Sequence, residues 1–152
     1  MRVTLMILFF AVAAEAQRPS PEVRATAGWA GFIDESFINH GKFGGSARYY
    51  LTRRVAVEPE LLAMIGPAED RDITFVPHLT FDFRPGKNVR PYLIGGAGLL
   101  HHWDRFVSVS EWTFNFGVGV RIPVSPRVFI APEFRVGFEP TVRIGAGVGF
   151  TF

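Results

Sequence analysis

The eleven residues WTFNFGVGVRI, Trp112–Ile122, alternate without a break. One side carries Trp112, Phe114, Phe116, Val118, Val120 and Ile122, and the other Thr113, Asn115, Gly117, Gly119 and Arg121. A period of two belongs to a β-strand, whose successive side chains point to opposite faces. The segment TVRIGAGVGFTF, Thr141–Phe152, repeats the pattern. Val142, Ile144, Ala146, Val148, Phe150 and Phe152 lie opposite Arg143, Gly145, Gly147, Gly149 and Thr151. Helix caps and a 3.6-residue period are missing from the chain that follows the N-terminal leader. The alternation predicts eight strands, at 22–33, 43–51, 55–65, 73–83, 89–103, 112–122, 127–138 and 141–152. Arg84–Asn88 and Pro123–Pro126 are short turns rich in proline or glycine. Leu51–Arg54 is a tight link without glycine. Ile33–Lys42, Gly66–Asp72 and Asp104–Glu111 read as longer polar links, so short and long connections alternate.

The N-terminus differs in kind. Met1-Arg2 gives a positive start, and Leu5–Ala14 (LMILFFAVAA) is an apolar run too short to span a bilayer as a helix. Ala14-Glu15-Ala16 fits the small-x-small cleavage rule. Residues 1–16 are therefore expected to be a signal peptide, with a single domain over 17–152. Beyond Ala16 no run approaches eighteen continuous apolar residues, so spanning helices are not expected there.

Composition narrows the partners. Net charge is +2, with no block of lysine or arginine suited to a phosphate backbone, which argues against nucleic acid. The chain has no cysteine, which excludes disulfides, thiolate metal sites and cysteine nucleophiles. Lys42 and Lys87 are its only lysines, each beside a glycine in an expected turn. Water-facing surfaces normally carry many more.

Two barrels fit eight amphipathic strands. A soluble lipid-binding barrel packs the apolar face inside; a transmembrane barrel turns it outward and keeps the polar face in the lumen. The polar face carries Arg48, Arg121, Arg135 and Arg143 against Glu58, Glu60, Asp82 and Glu133. Four cations matched by four carboxylates suit a confined lumen, where an unpaired charge costs several kcal/mol. Arginine also pairs with carboxylates better than lysine. Gly96, Gly98, Gly117, Gly119, Gly145, Gly147 and Gly149 share this face. An eight-stranded barrel has an interior just wide enough for side chains, so these glycines would clear space for the arginines, glutamates and tyrosines opposite. In a water-facing strand they would only weaken it. The expectation is an all-β, eight-stranded, antiparallel, up-and-down transmembrane barrel.

Pro59, Pro77, Pro91 and Pro132 fall on the apolar face and should sit near strand ends or bulges. Tyr49, Phe75, Phe81, Phe83, Trp112, Phe114, Phe150 and Phe152 lie near strand ends on that face, where interfacial girdles belong. VAVEPELL (Val55–Leu62) echoes VFIAPEFR (Val128–Arg135), with Pro-Glu at the same offset.

Segments such as VRPYLIGGAG (Val89–Gly98) and RVFIAPEFRVGF (Arg127–Phe138) resemble strands of the bacterial outer membrane protein β-barrel family, of the OmpA-transmembrane-domain and OmpX-like class. The last strand resembles that family's sorting signal at Gly147, Phe150 and Phe152, with Gly145 where a polar residue is usual. The resemblance implies a bacterial outer-membrane location after export, with both termini in the periplasm. It implies a structural, envelope or surface-interaction role as a monomer. Its partners would be outer-membrane lipid, lipopolysaccharide and the barrel assembly machinery. The links near 34–42, 66–72, 104–111 and 138–141 would then face outward.

Some barrels of this size modify lipid A. The deacylase type carries His-x-Ser on its outer face with a nearby carboxylate; here His101-His102 is followed by Trp103-Asp104. Ser108, Ser110 and Glu111 lie in the next link and could approach a histidine in space, but no spacing requires it. A metal site on His101 and His102 lacks a third ligand. No catalytic set, metal set or cofactor is therefore assigned from the sequence. A lumen filled with arginine, glutamate and tyrosine would leave no continuous channel.

Overall fold

The computed structural model describes residues 18–33, 37–68, 70–85, 88–106, 108–138 and 141–152. The leader, with Ala14 and Ala16, lies outside the described residues. The eight strands are β1 (Glu22–Ile33), β2 (Phe37–Tyr50), β3 (Val55–Ile65), β4 (Arg71–Asp82), β5 (Arg90–Trp103), β6 (Ser108–Pro123), β7 (Val128–Gly137) and β8 (Thr141–Thr151). They form a closed barrel in sequence order. Every neighbouring pair is antiparallel, and β1 closes on β8 from Glu22↔Thr151 to Phe32↔Thr141. Closure pairs both edges of the sheet, which leaves no strand open to self-association.

Alternation along each strand turns the apolar side chains outward. Leu61, Leu79, Phe116 and Ile144 are all more than half exposed. The eight girdle aromatics are exposed as well. Phe81 packs edge-on against Phe83, and Phe150 against Phe152, near one rim. Phe114 meets Phe138 near the other. The inside is mostly polar, with Leu62, Val76, Ile94 and Phe129 buried among the charges and an apolar cluster of Ala30, Met64 and Leu100, with Phe32 against it, nearer the mouth. A soluble barrel would show the reverse pattern.

Two strands run further than their periodicity indicates. β2 begins at Phe37 and β6 at Ser108, inside segments expected to be links. Asn39, Gly41, Lys42, Ser108 and Ser110 weaken the hydrophobic alternation there, but the ladder continues through Trp29↔Gly41 and His102↔Val109. Backbone pairing outlasts the apolar pattern because the barrel wall holds both neighbours in place. Lys42 is consequently a strand residue facing the interior, not a turn residue. The glycine-free link at 51–54 is closed by Thr52, whose Oγ1 accepts hydrogen bonds from the backbone N–H of Arg54 and Val55.

The prolines do not follow the expected placement. Pro91 is the second residue of β5, but Pro59, Pro77 and Pro132 lie within their strands. None produces a bulge. The β2–β3 ladder skips two pairs between Ser46↔Glu60 and Tyr49↔Val57 and resumes in the same register. The β4–β5 ladder does so beside Pro77, and β6–β7 beside Pro132. An antiparallel residue exchanges both its bonds with one neighbour only. Pro59 and Pro77 face each other across β3–β4 at a site where neither owes a donor, and each missing N–H falls on the far side.

Candidate functional site

The inward face builds two features, a charge network through most of the lumen and a cavity at one mouth. Among the described residues, the buried cations are Arg24, Lys42, Arg48, Arg121, Arg135 and Arg143. The buried carboxylates are Glu22, Glu58, Glu60, Asp72, Asp82 and Glu133, so six face six.

Near the rim formed by the 51–54 and 124–127 links, Arg121 reaches Glu22 at 3.2 Å and Asp82 at 3.1 Å, and donates to Tyr50 Oη at 3.0 Å. Arg48 joins Asp82 at 3.2 Å to Glu58 at 2.6 Å. The Tyr92 ring lies between two guanidiniums, 4.9 Å from Arg48 and 4.5 Å from Arg121. Deeper in, Arg24 binds Glu58 at 2.6 Å and also Glu133. Arg135 grips both oxygens of Glu60, at 2.8 and 2.9 Å, and Glu133 at 2.5 Å. The Pro-Glu echo thereby acquires a meaning, because Glu60 and Glu133 converge on Arg135 from opposite sides of the barrel. Planar guanidinium forks suit such bridging.

Lys42 and Arg143 are buried without an ion pair among the described residues. Arg143 is 1% exposed, and its Nε and Nη1 have no hydrogen-bond partner. Its cross-strand neighbour is Arg135, a like charge. Glu22, Arg24, Lys42 and Asp72 are the lumen charges that alternation did not reveal. The first strand's pattern is diluted by alanine and glycine, and Lys42 and Asp72 lie in segments that read as links.

The seven glycines all lie against something. A Cβ on Gly117 would meet the carbonyl of Phe134 and the side chain of Arg135. One on Gly98 would strike the β4 backbone, and one on Gly96 His78. Gly119 lies under Tyr92, Gly145 beside Lys42, Gly147 beside Arg24 and Gly149 under the Phe129 ring. A void of about 10 Å³ remains among Glu22, Arg24, Arg48, Glu58 and Arg121. That is no more than one water's worth of space.

Near the other rim a cavity of about 720 Å³ opens, lined by apolar Phe32, Ile38, Leu100 and Phe114 and by polar His40, Asp70, Asp72, His102 and Glu111. The two adjacent histidines part here, as the two-residue period requires. His101 faces outward and His102 turns to the mouth. His101 Nδ1 lies 2.7 Å from Ser110 Oγ, its cross-strand partner, and its ring lies 5.4 Å from that of Trp103. Glu111 lines the cavity, on the opposite face from His101. The pair therefore has no carboxylate to orient the imidazole among the described residues. Gly147, Phe150 and Phe152 share β8 and its end, with Phe150 and Phe152 exposed.

Solved structures share this architecture. Neisserial surface protein A aligns over 87% of this chain and 97% of its own, with a TM-score of 0.76 and 16% identity. The N-terminal β-barrel domain of Pseudomonas aeruginosa OprF aligns over 89% and 98%, with a TM-score of 0.68 and 20% identity. The outer membrane enzyme PagL aligns over 86% and 99%, with a TM-score of 0.58 and 11% identity. At these identities the likeness is one of fold. The sequence has no match among curated proteins. The family described as the outer membrane protein beta-barrel domain matches residues 3–152, in keeping with the outward apolar wall and the charged interior. The chain belongs to that family and is an integral β-barrel of the bacterial outer membrane.

Proposed function

We propose that this barrel is a monomeric, non-enzymatic component of the outer membrane, exported with cleavage after Ala16. It stiffens the envelope and presents its outer mouth to lipopolysaccharide or surface partners. The observation that carries this reading is the filled lumen. Arg121, Arg48, Arg24 and Arg135 tie strands together across the barrel, and the void left among them is about 10 Å³. Such an interior supports rigidity, not transport. The girdle aromatics supply contact with lipid, and Gly147, Phe150 and Phe152 supply the contact with the assembly machinery.

A second reading rests on His101 and Ser110. A histidine within hydrogen-bond reach of a serine on the lipid-facing wall has the parts of a nucleophile and its base. It lacks the third group that would hold the imidazole's tautomer. One experiment separates the readings. The gene is expressed and deleted in its host, and lipid A mass spectra and detergent sensitivity are measured. An envelope role predicts unchanged lipid A masses and a more sensitive deletion strain. Loss of an acyl chain on expression, abolished by Ser110→Ala, would establish the enzyme instead.

A further inference from the structure

We propose that the outer mouth holds a zinc-class divalent metal site built from His40, Asp70, Asp72 and His102. His40 comes from β2, Asp72 from β4, His102 from β5, and Asp70 from the link between β3 and β4. One ligand atom from each of His40, Asp70 and Asp72 lies within 4.8 Å of the other two. His40 Nε2 is 2.9 Å from Asp70 Oδ2 and 3.5 Å from Asp72 Oδ2. His102 Nδ1 is 2.8 Å from Asp72 Oδ1 and 3.3 Å from Asp70 Oδ1. Four ligands about 2.0–2.2 Å from a tetrahedral zinc ion lie about 3.3–3.6 Å from one another. The four contacts, at 2.8–3.5 Å and using both oxygens of each aspartate, lie at or below that spacing, so the side chains would turn and spread apart to admit the ion.

The site is constructed rather than accidental. His40 is 2% exposed, and its ring is held by an edge contact with Phe32 at 4.8 Å. It reaches the carboxylates across Gly66, where a Cβ would collide with the imidazole. The turn that carries Asp70 is closed by a bond from Gly66 N to Asp70 O and contains Ala68 at φ 55°, a left-handed conformation unusual for alanine. Strain of this kind persists where surrounding structure enforces it. Pairing is also incomplete. The buried Asp70 Oδ1 has no hydrogen-bond partner, and His40 Nδ1, turned away from the carboxylates, has none either. A divalent cation would satisfy both carboxylates at once. Behind His102, Asp104 Oδ2 stands 3.9 Å from Nε2, on the side where a metal-bound histidine usually finds its orienting carboxylate. The cavity of about 720 Å³ gives an entry path. Imidazoles mixed with carboxylates favour zinc and its neighbours over calcium or magnesium, which take oxygen ligands.

The test uses the untagged barrel refolded in detergent, titrated calorimetrically with Zn²⁺ and separately with Ca²⁺. Variants are His102→Gln, Asp72→Asn and, as a control, the outward His101→Gln. Each is first checked for the mobility change on boiling that marks a folded barrel. The expected result is saturable binding of one zinc per barrel, retained in His101→Gln. Removing a partner behind a metal ligand costs about 10–100-fold in affinity, so losing a ligand in folded His102→Gln should cost at least as much. No saturable zinc binding, equal affinity in His102→Gln and Asp72→Asn, or calcium binding as tight as zinc would overturn the site. If Asp72→Asn misfolds, the half-buried His102 decides alone.

Discussion

Arg121 touches Glu22, Asp82 and Tyr50 and lies over Tyr92, so one side chain holds residues from four other strands. Arg143 is equally buried and holds no acid among the described residues. The pair separates two meanings of a buried charge. Removing one partner of a buried network strands the others, which costs about 3–5 kcal/mol. Arg121→Ala should therefore lower the denaturation midpoint of the refolded barrel by an amount of that order. Arg143→Met keeps the volume and removes an unpaired charge beside Arg135, so its midpoint should stay level or rise. Equal losses in both variants would mean that packing, not pairing, sets the cost. The four cations and four carboxylates read from alternation all point inward. Arg24 and Glu22 were hidden because β1 carries too many small residues for its faces to be told apart. Partner identity was never in the sequence, since Arg135 reaches Glu60 across 75 residues of chain.

At the scale of the strand, β3 and β8 are legible almost to the residue, because each alternates cleanly between turn residues. β2 and β6 are not, because the apolar alternation breaks down at their outer ends, where Asn39, Gly41, Ser108 and Ser110 interrupt it. Hydrophobic period reports where lipid is, and the ladder continues beyond it. The same distinction hid the cavity residues, since His40 and Asp72 lie where no apolar rhythm marks a face. The prolines misled for a related reason. A missing donor matters to one neighbour only, so a strand with proline at its centre keeps its register. β8 makes a sharper test. Phe152 is 65% exposed and packs edge-on against Phe150, so its removal should cost the fold little. Phe152→Asp should nevertheless lower the amount of barrel in the outer membrane of cells while leaving refolding in detergent intact. Normal membrane levels would argue against a sorting role for Gly147, Phe150 and Phe152.

For the whole molecule, the filled lumen sets the electrical behaviour. With about 10 Å³ left around Arg24 and Arg48, the arginine network fills that section of the lumen. Planar bilayers loaded with the barrel should show no steps above the baseline leak. Stable unitary conductance would require the arginine network to rearrange. The inside-out wall also bears on how such a chain changes over time. A lipid-facing position asks only for an apolar side chain, so nearly half of each strand can drift among leucine, valine, isoleucine and phenylalanine. A lumen position answers to partners on several strands, so its changes must come in sets. Barrels built this way diverge quickly in letters and slowly in shape. Across an alignment of near relatives, outward positions should exchange freely, and Glu60, Glu133 and Arg135 should be kept or lost together.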